Sequence, residues 1–440
     1  MHPADFIITA RWIVPVEPAG VVLEDHAVVI RDGLILAILP RATALQAYPA
    51  ASRIDRPTHV LLPGLVNAHT HAAMTLFRGL ADDLPLELWL SQHIWPGEAR
   101  WVTSDFVRDG TELALLEMLQ GGTTTCGDMY FYPDAAARAV ADSGMRATVG
   151  MIVLEHPTVW ARSPDEYLSK GLAVRDQFQG HPRVSMVFAP HAPYTVTNNT
   201  FEQVRMLADE LETPIHMHVH ETASETVASM EQFGCRPLER LDTLGIVTPL
   251  LSAVHMTQLE SDEIELLAAR GASVVHCPES NLKLASGLCP VALLTAAGVN
   301  VALGTDGAAS NNDLDMFGEM RIAALLAKGF AQQADVMPAS AVLQMATLNG
   351  ARALGLGDRV GSLLPGKEAD MICVDLARAA SQPVYSPVSQ LVYTASRDQV
   401  TDAWVAGQHL LEAGLPTVVD TQDILARAAA WGDKLRNRHV

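Results

Sequence analysis

The chain has 440 residues, 49% of them hydrophobic and 18% charged, and a net charge of −20. That is enough apolar material for a folded enzyme and too much length for one small domain; a barrel of about 300 residues with an appendage fits as well as two separate domains. The acidic surface repels phosphate backbones and so argues against DNA or RNA polymers, while a small neutral or zwitterionic nucleoside meets only the local field of a pocket. Cys126, Cys235, Cys277, Cys289 and Cys373 are scattered, with no CxxC pair, so reduced thiols in a cytoplasmic protein are expected. Met1–Asp5 carries no basic stretch before an apolar core, and no uncharged apolar run reaches about 18 residues, so neither a leader nor a membrane span is expected.

In chain order, residues 6–16 read as a strand. Residues 27–39 read as two apolar runs around the hairpin signal Arg31-Asp32-Gly33. The far end reads similarly: a strand over 369–374, then a hairpin over 400–411 around Ala406-Gly407. Residues 1–59 and 369–440 are therefore expected to build one small β-sandwich domain. A helix over 421–436 closes it, with Ile424, Leu425, Ala428 and Trp431 on one stripe.

The middle, 60–368, alternates. Strand candidates are 60–68, 123–127, 147–154, 184–189, 214–219, 251–255, 272–276 and 299–304. Helical patterns lie between them: a run capped by Ser104 that stops at Gly121-Gly122, then 197–211, 261–270, 290–297 and 339–354. Eight strands alternating with helices predict an α/β fold, a (β/α)8 TIM-type barrel, whose chemistry belongs at the strand C-termini. Each strand ends in or beside an ionisable residue: His69 and His71, Asp128, Glu155, His191, His218 and Glu221, His255, His276, Asp306.

His69-Thr70-His71 places two imidazoles on one face of a strand, half a metal site. A third histidine and Asp306 complete a set suited to one divalent first-row metal, Zn2+ first, with Fe2+ or Mn2+ as alternatives. His216, His218 and His220 share a face, and periodicity does not choose among them. A bound metal makes hydroxide available near neutral pH. Glu221 can then protonate a ring nitrogen, Asp306 can take the water's proton, and His255 can orient the hydroxide. That assembly fits attack on an electron-poor C–N unit of a cyclic amidine. The fourth strand, over 183–190, contains no lysine to bridge two metals, which favours one. Asp128 and Glu155 read as polar caps of the rim, and His156 and His181 as loop residues. His276 reads equally as a pocket liner or a structural hydrogen-bonder. Met316 and Met320 read as core. Met129-Tyr130-Phe131-Tyr132 reads as an apolar seat for a thioether or as rim packing.

The motifs resemble those of the amidohydrolase superfamily, and within it the 5′-methylthioadenosine/S-adenosylhomocysteine deaminase family. The matching strings, in order, are Pro63-Gly64-Leu65-Val66-Asn67-Ala68-His69-Thr70-His71, Trp95-Pro96-Gly97-Glu98, Pro190-His191-Ala192-Pro193-Tyr194, His218-Val219-His220-Glu221-Thr222, the run from His276-Cys277-Pro278-Glu279-Ser280-Asn281 to Gly287, and Gly304-Thr305-Asp306-Gly307 through Asn312. Weaker matches extend to about residue 370. The resemblance implies His69, His71, His218 and Asp306 as ligands of one divalent metal. It implies that Glu221 protonates purine N1 while His255 positions the hydroxide that attacks C6. It places Glu98 on the ribose hydroxyls, His191 against the base and Arg162 near the substrate tail. The implied reaction is 5′-methylthioadenosine plus water giving 5′-methylthioinosine and ammonia, with S-adenosylhomocysteine and adenosine as further candidates. Guanine deaminases and triazine chlorohydrolases share the metal motifs, so a free heterocycle is the alternative substrate. A carboxylate at 98 favours a ribosylated adenine, since it can accept from two adjacent hydroxyls. Homo-oligomers are expected of such barrels, although no interface is legible.

Overall fold

The structure, a computed structural model, describes residues 4–436. Met1–Pro3, which enter the leader reading, lie outside the described residues. Two eight-stranded sheets organise the chain.

The first sheet is built from both ends of the chain. From one edge its order is Leu415–Pro416, Gln408–Glu412, Val400–Val405, Met371–Asp375, Ser52–Pro63, Phe6–Ile13, Leu23–Arg31 and Leu34–Pro40. Among the described residues, only Phe6–Ile13 and Ser52–Pro63 pair parallel in this sheet. Both predicted hairpins form. Arg31 pairs with Leu34 and Val405 with Gln408. The turn residues between them, Asp32-Gly33 and Ala406-Gly407, all have positive φ, which matches the strand twist. The two hairpins stand far apart in strand order, yet their tips meet: a Cβ on Gly33 would lie 2.6 Å from the Ala406 carbonyl oxygen. The sheet is thus drawn over a core that includes Ile8, Val28, Leu61, Met371 and Trp404.

The second sheet is the barrel. Its strands are Leu65–Thr70, Thr123–Asp128, Arg146–Val153, Val184–Pro190, Ile215–Val219, Leu251–His255, Ser273–His276 and Asn300–Leu303, all parallel and in sequential order. Asn67 joins the eighth strand to the first: its Oδ1 accepts from the Thr305 N–H at 3.0 Å, and its Nδ2 donates to Thr305 Oγ1 at 2.7 Å. The Asp306 N–H donates to the His69 carbonyl at 3.0 Å, which closes the same seam at the C-terminal rim.

At three places the structure differs from the sequence pattern. The apolar run 60–68 is two strands: Val60–Pro63 ends the terminal sheet and Leu65 opens the barrel. Gly64 is the pivot, because any Cβ there would lie 2.0 Å from Thr124 Oγ1. The cap of Ser104–Gln120 is Thr103, whose side chain accepts from the Phe106 N–H. The helix expected over 339–354 breaks at Ala346-Thr347 into Ala339–Met345 and Leu348–Ala353.

The terminal helix Thr421–Arg436 lies on Ser104–Gln120. Trp431 Nε1 donates to Asp109 at 2.9 Å, and its ring meets Phe106 at 5.2 Å. Ile424 and Trp431 are buried as expected, but Leu425 faces solvent and Leu435 takes its place. Phe106 also packs on Phe77 at 4.8 Å. The helix layer thereby steadies the excursion after the first barrel strand, which carries part of the site. Among the described residues, no helix is long and apolar enough to cross a membrane.

Arg146, on the third barrel strand, is buried and joins the barrel to the returning chain. Its guanidinium donates to Asp370 at 2.9 Å and also meets Glu368. Breaking a buried pair strands the remaining carboxylates. Arg146→Ala is therefore expected to cost about 3–5 kcal/mol of unfolding free energy, measured by urea titration; a loss below about 1 kcal/mol would place this pair with surface bridges.

Candidate active site

The first, fifth and eighth barrel strands bring His69, His71, His218 and Asp306 together at the C-terminal rim. One ligand atom from each lies within 4.8 Å of all the others. Asp306 Oδ1 is 3.4 Å from His69 Nε2 and 3.2 Å from His71 Nε2. The two imidazoles His69 and His218 face each other through Nε2 at 3.2 Å.

The outer atoms of these side chains are all occupied. His71 Nδ1 donates to the Met129 carbonyl, and His218 Nδ1 donates to the His191 carbonyl at 2.8 Å. His69 Nδ1 pairs with His216 Nε2 at 2.7 Å, so His216 sits one layer deeper, as a support rather than a ligand. Asp306 Oδ2 accepts from Ser280 at 2.7 Å and from Ser310 at 2.8 Å. Because a carbonyl can only accept, the outward nitrogens of His71 and His218 carry the protons, and their Nε2 lone pairs turn inward. Lone pairs this close repel unless a cation stands among them. The donor set of three imidazoles and one carboxylate fits a divalent first-row metal, and the outward bonds are of the kind that orient metal-bound histidines. The electrostatics agree. Burial opposes charge on Asp306, but its bonds to His69 and His71 hold the carboxyl well below the usual range. Burial likewise opposes charge on His71, and Asp306 overrides it, raising the imidazole to about 9. Burial lowers His69 to about 4.

A cavity of about 490 Å³ opens over this cluster, within the usual size of a small-molecule site. Glu221, His255, His191 and Glu98 line it together with His71, His218 and Asp306. Glu221 is buried beyond the fifth strand, and that burial raises its carboxyl against the opposing field of His255. His255 Nε2 is 3.9 Å from Glu221 Oε1, and its Nδ1 pairs with Asn281 Oδ1 at 2.8 Å. His191 pairs through Nδ1 with Thr195, and burial lowers it to about 3, which keeps the ring neutral. Glu98 comes from the short helix Trp95–Trp101. Tyr130 donates to Glu98 Oε1 at 2.8 Å, and burial raises this carboxyl to about 7.

Arg162 is the exception. It is exposed beside the helix Pro164–Phe178, its backbone N–H bound to Glu166, and it does not line the cavity. The loop before it, with His156, Pro157, Thr158 and Val159, does. His156 is a loop residue as expected, and no periodicity marks a loop that folds back over a rim. Asp128 accepts from the Ala72 N–H and Glu155 from Thr197 and Thr200, so both are structural caps. His276 is buried and its Nδ1 has no partner. Met316 and Met320 are core. Met129, Tyr130 and Phe131 line the cavity. Tyr130, Ser280, Ser310 and Asn281 were missed as supports, although all four lie inside motifs visible in the sequence.

The fold and this constellation define a metal-dependent hydrolase barrel with its chemistry on the C-terminal face. The amidohydrolase family matches residues 60–410. The chain belongs to that family. It is 51% identical to a 5-methylthioadenosine/S-adenosylhomocysteine deaminase of Teredinibacter turnerae, over 98% of each chain, and 49% identical to one of Saccharophagus degradans, over 99% and 97%. Among solved structures it is similar to an adenosine deaminase from Xanthomonas campestris with bound zinc, at 54% identity and a TM-score of 0.98 over 99% of each chain. It is also similar to a zinc-containing atrazine chlorohydrolase from Arthrobacter aurescens, at 25% identity and a TM-score of 0.91 over 97% and 99%.

Proposed function

We propose that the chain is a metal-dependent aminohydrolase that deaminates 5′-modified adenosines at C6, with 5′-methylthioadenosine giving 5′-methylthioinosine and ammonia. The observation that carries this reading is the presence of Glu221 and Glu98 in one cavity, both beside the four-residue metal cluster. The deaminase names of full-length relatives support it. Zinc suits the donor set and is present in two similar structures. When bound, such a metal supplies Lewis acidity that lowers the pKa of water to about 7.

The chain's own residues supply the rest. Burial favours the protonated form of Glu221, so it can donate a proton to purine N1 and hold it there as C6 becomes tetrahedral. Asp306 is held ionised and can accept a proton from the attacking water. His255, fixed by Asn281, can orient that water through Nε2. His191 is neutral and can hydrogen-bond the base. Glu98, anchored by Tyr130, can accept from the ribose hydroxyls. The remaining lining is largely apolar, with Ile94, Phe131, Leu154 and Val159 among it, and no lysine or arginine lines the cavity among the described residues. That favours a short uncharged thioether over a zwitterionic homocysteine tail, whose carboxylate would lack a cation.

The testing experiment follows the adenine absorbance band as it gives way to the inosine band for methylthioadenosine, S-adenosylhomocysteine and adenosine, with ammonia release from guanine and chloride release from a chlorotriazine measured alongside. Methylthioadenosine is expected to give the highest kcat/KM, about tenfold or more above S-adenosylhomocysteine. Preferred turnover of guanine or the triazine would replace this reading with the free-heterocycle one. Glu98→Ala is expected to lower kcat/KM for the nucleoside by about 10–100-fold, the worth of one or two charge-assisted hydrogen bonds, while leaving any turnover of free adenine unchanged. Equal losses on both would remove the ribose role.

A further inference from the structure

The turn that carries Glu221 is held by its backbone on two sides. His220, directly before it, has a left-handed φ of 54° and is not a glycine, a conformation that persists only where surrounding contacts enforce it. The Glu225 carboxylate brackets the turn from below: Oε1 accepts the His220 N–H at 3.1 Å and Oε2 accepts the Glu221 N–H at 2.8 Å. Thr257 holds the opposite edge. Its N–H donates to the His220 carbonyl at 2.9 Å. Its hydroxyl has one proton to give, and the nearest acceptor is the Glu221 carbonyl at 2.7 Å. The His220 ring is the third anchor, with Nε2 accepting the Leu238 N–H at 3.1 Å. These contacts leave the Glu221 carboxyl as the part of the turn that faces the cavity. Neither Glu225 nor Thr257 lines that cavity.

Thr257 also belongs to a second left-handed turn. His255 and Met256 have φ of 76° and 49°, and the Met256 N–H donates to the Val219 carbonyl at 3.1 Å. The loops after the fifth and sixth strands are therefore hydrogen-bonded to each other directly beneath the Glu221–His255 pair. We propose that Glu225 and Thr257 are positioning residues, a backbone clamp that fixes the Glu221 carboxyl against His255 and the substrate ring nitrogen. The proposal rests on the deaminase reading above. It assigns a function to two polar side chains that the chemistry itself leaves unused, and it explains why a buried glutamate in the first turn of the helix Ala223–Phe233 and a buried threonine after the sixth strand meet behind the site.

The clamp acts on geometry at the reacting nitrogen, so its loss falls on kcat and not on substrate binding or metal content. Thr257→Val removes the hydroxyl at nearly constant volume, and Glu225→Gln keeps the shape but turns an N–H towards an N–H. Each is expected to lower kcat for methylthioadenosine by about tenfold, with KM within about twofold and bound metal unchanged. Thr257→Ser, which keeps the hydroxyl, is expected to restore kcat. In a Glu221→Gln background, Thr257→Val is expected to have no further effect, since both changes act through one group. Wild-type kcat in Thr257→Val and Glu225→Gln would overturn the clamp, as would a full tenfold penalty retained in the Glu221→Gln background. A wild-type protein with no deaminase turnover would defeat the underlying functional reading instead, which separates the two failures.

Discussion

Glu221→Gln is expected to lower kcat by about 1,000-fold, with the metal still bound and the fold intact. The size follows from what is removed: a positioned general acid contributes about 100- to 10,000-fold, and an amide keeps the shape of the carboxyl but cannot release a proton to purine N1. The substitution leaves the metal cluster alone, because Glu221 is not one of the four converging groups. It also relieves a desolvation penalty, since burial already disfavours the charged form of this side chain. Thermal stability is thus expected to be unchanged or slightly raised. Stopped-flow or steady-state kinetics, metal analysis and a melting curve on the same preparation decide it. Undiminished turnover would remove the acid role. Lost metal would make Glu221 a ligand rather than an acid.

Removal of the metal is expected to have the larger effect, abolishing turnover, with recovery on adding zinc. Inward-facing nitrogens of His69 and His218 lie 3.2 Å apart, beside a carboxylate held in its ionised form. Without a cation this cluster must recruit a proton instead, and His71 is the group that takes it. A proton in that place cannot acidify a neighbouring water as a divalent cation does, so the metal-free protein keeps the pocket and loses the reagent. The same linkage acts on stability: a ligand that binds only the folded state adds about 4 kcal/mol at a free concentration 1,000 times its Kd. Chelation is expected to lower Tm accordingly, and Asp306→Ala to reproduce both effects without a chelator. Metal analysis beside an activity assay is the check. A metal-free preparation with wild-type turnover would rule out the hydrolytic scheme.

Much of the candidate site is legible in the sequence. His69 and His71 stand out because strand alternation is a local rule and both follow an apolar run. Asp306 and Glu221 stand out because they follow strands of the same kind. His218 was different. Its neighbours His216 and His220 obey the same alternation; the family resemblance selects His218, and three-dimensional packing supplies the physical reason. His216 lies deeper and supports His69, whereas His220 turns away through a left-handed backbone to meet Leu238. Arg162 shows the opposite error, a residue of suitable chemistry near the expected strand that solvent claims.

The boundary between what was and was not legible follows the range of the interactions. Strand periodicity, helix caps and two-residue hairpins depend on neighbours a few positions away, so the barrel, the terminal sheet and the ends of the strands where chemistry gathers can be read from the residues. The joining of Val60–Pro63 to the terminal sheet, the bond from Tyr130 to Glu98, the approach of His156 to the cavity and the bracket of Glu225 and Thr257 around Glu221 were decided by tertiary structure alone. Each involves contacts between residues distant in sequence, set by how the segments pack against one another, as Phe77 is set by Phe106 and the terminal helix.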